Sequence, residues 1–202
     1  MVSSSVIKPR IGAMQIAIVA MSSAIYTVLG VFAAGFTIVP GVTIFYTPEA
    51  FIMPAAMWFG VWGALGAFFG TILFSPFFGY GYLIGLLFAF PDMLSALIAG
   101  IALRKLNIDL GLRDKRSFGL WVLFAGTLGP LAEAITGLPV YIWNGWYTVE
   151  FAYTYGLAVW FVGDITAVVI IGTILMRVLS KYIMKTSLYH KGFVYRETFT
   201  EK

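Results

Sequence analysis

The chain has 202 residues, of which 60% are apolar and only 11% charged, where a soluble domain carries roughly a quarter charged residues. That balance excludes a water-soluble globular protein and predicts an all-α integral membrane protein. Cysteine is absent, which removes disulfides, thiol nucleophiles and thiolate metal sites.

The net charge of +4 acquires meaning once the charges are placed. Lys8 and Arg10 open the chain; Arg104, Lys105, Arg113, Lys115 and Arg116 share one connecting segment; Arg177, Lys181, Lys185, Lys191, Arg196 and Lys202 close it. No basic residue lies between 11 and 103 or between 117 and 176. Basic segments flanking membrane helices stay in the cytoplasm, so both termini and the loop 104–116 are expected inside. Charges that hug helix ends in this way serve orientation, which argues against a nucleic-acid partner.

Taken in order, residues 1–10 form a cytoplasmic N-terminus. The apolar run that follows reads as a first membrane helix over 11–33, since no small-residue cleavage site precedes it. On that helix Ala13, Ala17, Ala20 and Ala24 recur at four, three and four residues, a stripe of small side chains on one face. Such a stripe lets another helix backbone approach closely, either inside the bundle or as a docking face for a separate membrane subunit. Residues 35–48 hold two prolines and several β-branched residues, the pattern of a partly extended outer loop and a candidate lid. Glu49 then sits at a helix start, where a carboxylate suits the macrodipole; capping is its expected role, with ligand contact second.

From 50 to 91 no charge appears. Splitting this stretch within 60–66 gives six spans and keeps every basic group on one side. The expected helices are 11–33, 48–60, 62–76, 82–104, 117–138 and 156–182, with a cytoplasmic tail over 183–202. The second and third are short against a hydrocarbon core of about 30 Å, and Pro54 is expected to kink the second.

The segment 133–164 is the densest in chemistry. It carries Glu133, Glu150 and Asp164 with Trp143, Trp146, Tyr147 and Trp160, and no Lys, Arg or His. Acids within membrane helices are costly and mark function. Asp92, after Pro91 in the fourth helix, is a further one. Glu133, Trp143, Asn144, Trp146, Tyr147, Trp160, Asp164 and Asp92 are therefore expected around one outward-facing pocket, where acids pair with a cation or hydrogen-bond donors and aromatic faces hold a ring. Trp160 and Asp164, four residues apart, share a helix face. No Ser–His pair, HExxH or Asp-rich metal motif is present, so catalytic and metal residues are expected to be none, and no cofactor is implied. The lone His190 reads as a solvated tail residue.

The run FIMPAAMWFGVWGALGAFFGTIL, the aromatic turn SPFFGYGY after it and the helix that ends in a basic loop resemble the substrate-binding S components of energy-coupling factor transporters. So does Ala20-Met21-Ser22-Ser23-Ala24, which matches their AxxxA motif. The resemblance covers most of the chain up to Lys181. It implies a multi-pass protein of the cell membrane that binds a vitamin-like small molecule at its outer face. It also implies docking, through Ala20 and Ala24, on a membrane coupling subunit driven by two ATPase subunits. The chain lacks a phosphate-binding Gly-rich loop with Lys, so ATP hydrolysis would belong to those partners. PEAFIMPAAMWFGVWGALGAF also resembles the integral membrane sensor domains of bacterial signalling proteins. That resemblance implies small-molecule sensing through a separate partner, and a third reading is an accessory subunit of another membrane complex.

Overall fold

Apolar runs of 18 or more residues with glycine or proline at their ends dictate helices that span. A computed structural model, which describes residues 11–39, 41–190 and 193, has six helices among those residues. Five are long and apolar enough to cross a membrane: α1 (Ala13–Ala34), α3 (Val61–Phe78), α4 (Tyr82–Lys105), α5 (Lys115–Trp143) and α6 (Val149–Ile183). The chain is an all-α membrane protein. Between α1 and α3 lies α2 (Thr47–Phe59), of 13 residues, about 20 Å at 1.5 Å per residue. All but Phe51 of its side chains are buried, so α2 meets neighbouring helices, whereas the other five expose apolar side chains. The N-terminal segment 1–10, Pro40 and the tail beyond 190, apart from Phe193, lie outside the described residues.

The helices alternate between two ends of the bundle. One end carries a short antiparallel hairpin, β1 (Thr37–Val39) with β2 (Val42–Thr43), paired Thr37 to Thr43 and Val39 to Val42. This is the segment expected as a partly extended loop. The other end carries the basic loop and the close of α6.

Helix α5 begins at Lys115 because Asp114 caps it, its side chain accepting the Ser117 N–H at 2.8 Å. It then continues through Pro139 to Trp143, past the expected end at 138. Helix α6 starts at Val149 behind a Thr148 cap (3.2 Å to Phe151 N), well before 156. The aromatic stretch expected as an outer loop is thereby mostly helix. A π-turn over Phe124–Leu128 precedes Pro130, whose ring and missing N–H disrupt the regular ladder at Gly126.

Close packing follows the glycines of the FGVWGALGAFFG run. A methyl group on Gly66 would come within 2.3 Å of the Ser22 side chain, so α3 lies directly against α1. At the α2–α3 junction Gly60 has φ +66°, a conformation that side chains disfavour, and a Cβ there would meet the Phe193 carbonyl at 2.0 Å. That carbonyl accepts the Val61 N–H at 2.9 Å.

The same end of the bundle also corrects the reading of His190. This residue is fully buried. Its N–H donates to Trp58 O (3.0 Å) and its carbonyl accepts from Arg104 (2.6 Å). Its ring lies 3.4 Å from the Gln15 amide nitrogen. Arg104 also donates to Met57 O at 2.6 Å, closing the last turn of α2.

Candidate functional site

Beneath the hairpin, Tyr46 just before α2 and residues of α3, α4, α5 and α6 line a cavity of about 50 Å³, room for roughly three to five waters. Its wall includes Asp92 and Asp164, the hydroxyls of Thr43, Tyr46, Thr71 and Ser75, and the rings of Phe74, Phe78, Tyr80, Phe88, Tyr141 and Trp160. The hairpin forms its roof. Tyr80 donates to Tyr141 (3.1 Å), and Tyr141 donates to the Gly41 carbonyl (2.7 Å). Gly41 has φ +79°, and a Cβ there would fall 1.5 Å from the Tyr80 hydroxyl; glycine is required for the hairpin tip to reach the tyrosines. Tyr80 and Tyr147, in the connecting turns, are held above their ordinary value by burial, which keeps both phenols neutral.

Four acids from four helices converge at the floor. Asp92 of α4 accepts from Tyr26 (3.0 Å) and from Thr71. Glu49 of α2 accepts from Ser95. Glu133 of α5 accepts the Trp160 indole N–H at 3.2 Å. Asp164 of α6 lies near the same indole, but neither of its oxygens has a hydrogen-bond partner among the described residues, and the residue is 1% exposed. Oε2 of Glu49 and of Glu133 are likewise buried without a donor. No described basic residue reaches the cluster: the one ion pair among the described residues, Arg113 with Asp109, lies in the loop at the other end. Buried polar atoms are almost always hydrogen-bonded, and exceptions point to a ligand or to function. Among the described residues no group of acids has metal-binding geometry.

The structure brings Asp92, Glu133, Trp160 and Asp164 together. Gly137 permits it, because any side chain there would strike the Trp160 ring at 2.5 Å. It does not bring the loop residues with them. Trp143 is 76% exposed and faces away. Asn144 turns back to cap α5, its amide donating to Val140 O (2.7 Å). Trp146 stacks on Tyr80 (4.8 Å, 20° between rings) and Tyr147 on Tyr141 (4.7 Å, 17°). Those two form an outer layer over the cavity wall. The reason is the extension of α5 through Pro139, which carries Trp143 beyond the cavity.

Glu49, expected chiefly as a cap, has its carboxyl fully buried in the cluster. Tyr26, Tyr46, Thr71, Ser95 and Tyr141 were not legible as site residues. Each is held there by a partner distant in the sequence.

A second concavity, about 540 Å³, lies on the outside of α1 and α3, lined by Ala20, Ala24, Trp62, Leu65, Phe69 and Leu73 among others. Ala13, Ala17, Ala20 and Ala24 are all exposed. The bundle takes α1 by another face, through Ile18, Ser22, Tyr26, Gly30 and Ala33. The chain matches no protein-family model, no curated protein and no solved structure, so the reading rests on the chemistry of the site.

Proposed function

We propose that this chain is the substrate-capturing subunit of an uptake transporter of the energy-coupling factor type, binding a small, ring-bearing organic cation beneath the hairpin. The observation that carries this reading is Asp164, a buried acid that lines an aromatic cavity with both oxygens unpartnered. An uncompensated carboxylate in a low-dielectric site favours a cation or a strong donor, and the surrounding rings add cation–π attraction. At about 50 Å³ the cavity is too small for a ring. Capture therefore requires the hairpin and the Tyr80–Tyr141 link to swing aside, and the link is two hydrogen bonds strong.

In this reading the chain crosses the cell membrane six times, with α2 as the short sixth span, and both termini and the loop 104–116 are cytoplasmic. The separation of the basic loop from the acid cluster, at opposite ends of the bundle, supports that orientation. The exposed alanine stripe and the groove beside it supply the face for a membrane coupling subunit carrying two ATPase subunits, since small residues allow close helix approach.

Mass spectrometry of small molecules that co-purify with the protein tests the pocket; a ring-bearing cation is expected, and an anionic ligand would sink the reading. Ala20→Trp and Ala24→Trp test the docking face. Both are expected to abolish uptake while leaving ligand affinity within about twofold, because neither side chain touches the cavity. Uptake that persists in both variants would separate the stripe from transport and favour the sensor reading.

A further inference from the structure

The polar side chains of the cavity wall are, with two exceptions, committed within the protein. Asp92 accepts from Tyr26 and Thr71. Ser75 donates to the Thr71 carbonyl (2.6 Å) and Tyr46 pairs with Tyr26 (3.2 Å). Tyr80 and Tyr141 form the chain of bonds that ends on the Gly41 carbonyl. The Trp160 indole, one turn before Asp164 on α6, is given to Glu133. Among the described residues that leaves the Thr43 hydroxyl and both carboxyl oxygens of Asp164, all buried and without a partner. The two residues are neighbours. A Cβ on Gly163 would fall 2.5 Å from the Thr43 carbonyl, so β2 rests directly on the turn of α6 that carries Asp164. Thr37, which pairs with Thr43 across the hairpin, is exposed and donates its hydroxyl to the Ala34 carbonyl (2.9 Å). Only the inner threonine is left open.

Each open group restricts what can complete it. An ionised carboxylate only accepts, and two free oxygens on one carboxylate match two parallel N–H donors, the fork that guanidinium and amidinium groups present. The N–H bonds of an ammonium diverge from a single nitrogen, so it meets such a carboxylate as a point charge and leaves one oxygen short. Water supplies donors but no positive charge, and a carboxylate walled by Phe88, Tyr141 and Trp160 needs both. The Thr43 hydroxyl accepts as well as donates, so it can take an N–H that lies outside the fork.

Resting on the reading of the cavity as a cation site, we propose that the ligand presents a planar N–C–N fork, an amidine or a 2-amino nitrogen heterocycle in its protonated form. Asp164 takes the fork through both oxygens, and Thr43 of the hairpin accepts a further N–H at its side. Binding then satisfies both open groups of the wall together, which a single ammonium does not. Asp92, already held by Tyr26 and Thr71, adds negative charge to the cavity without being the primary contact. Recognition is by geometry as well as charge. Of two cations with the same ring and the same charge, the pocket selects the one that carries the fork.

Calorimetric titration of the purified wild-type protein tests this with three probes: benzamidinium, benzylammonium (the same ring and charge on one nitrogen) and neutral benzamide. Benzamidinium is expected to bind about tenfold tighter than benzylammonium, the worth of one charge-assisted hydrogen bond, and benzamide is expected not to compete. Equal affinity for the two cations, or a preference for benzylammonium, overturns the fork and leaves the cation site standing. Failure of both cations to bind overturns the fork together with the cation reading. This comparison is made on the wild type, so it decides the matter whether or not the variants fold. Asp164→Asn replaces one acceptor oxygen with a donor and is expected to erase the preference; a preference that survives overturns Asp164 as the partner of the fork. Thr43→Val keeps the shape and deletes the hydroxyl. It is expected to weaken benzamidinium about tenfold while the melting temperature of the empty protein stays level or rises, because a buried hydroxyl without a partner does not stabilise the fold. Unchanged affinity in Thr43→Val overturns the part given to the hairpin.

Discussion

The two ends of the bundle bury polar groups by opposite rules. At the basic end buried side chains are tied to acceptors on other helices and on the C-terminal segment: the Trp58 indole donates to Ser180 (2.9 Å), the Trp121 indole to Thr173 (3.1 Å), and Arg104 to the Met57 and His190 carbonyls (both 2.6 Å). At the hairpin end four acids share too few donors among the described residues, and Asp164 has none there. Satisfied networks rigidify a fold, whereas a partly satisfied one is destabilising and persists where function demands it. The basic end holds the helices together; in the proposed function the hairpin end is completed by a ligand.

Substitutions should divide along that line. The largest effect on binding is expected from Asp164→Asn, which removes the charge and keeps the shape. Affinity for the co-purified cation should fall ten- to a hundredfold, about 1.5–3 kcal/mol for a charged hydrogen bond. The melting temperature without ligand should stay level or rise. Lost stability with intact binding would assign Asp164 to the fold and erase the contrast.

Arg104→Met reverses the pattern. It removes two charge-assisted bonds at the end of α2, each of about 1.5–3 kcal/mol, so thermal unfolding should shift down strongly while the affinity of the protein that remains folded is unchanged. Trp58→Phe is milder. It forfeits one neutral hydrogen bond, about 0.5–1.5 kcal/mol, visible as a modest drop in melting temperature and no change in affinity; a loss of binding would show that the two ends are coupled.

The smallest effect belongs to the Asp109–Arg113 pair of the basic loop. The Arg113 guanidinium (2.8 Å), with the Gly111 and Arg113 backbone N–H groups, holds the Asp109 carboxyl below the usual carboxylate range. A lowered folded value means stabilisation that is present above the ordinary carboxylate range and fades as pH falls through the folded one. The pair is exposed, with the arginine side chain 83% accessible, so solvent screens it. Asp109→Asn should shift unfolding only slightly, and added salt should shrink even that.

The membrane class and the charge segregation were legible because they depend on composition and order alone. So were Asp92, Glu133, Trp160 and Asp164 as candidates, since an acid in an apolar run stands out wherever its helix packs. Glu49 misled because its place in the first turn of α2 is also where a cap belongs. The aromatic segment misled: the expected helices stop at 138 and resume at 156, yet α5 continues through Pro139 to Trp143 and α6 starts at Val149. Tyr26 carried no signal. It lies on the face of α1 opposite the alanines, and its bond to Asp92 joins residues 66 positions apart, which no local pattern encodes. His190 was unreadable for the same reason, its partners being Trp58 and Arg104.

The brevity of α2 bears on how the protein is made. A segment of 13 residues with a glutamate at its start and a proline inside falls short of the roughly 20 apolar residues that partition into lipid unaided. On leaving the ribosome it has no stable home in the bilayer until α3 follows, and Glu49 has no donor until Ser95 of α4 arrives. Integration of α2 is thus expected to be a late event that waits on chain made after it. A nascent chain halted soon after residue 60 should leave α2 accessible to water-soluble cysteine reagents, and one extended past α4 should protect it; protection in the shorter chain would show that α2 inserts alone.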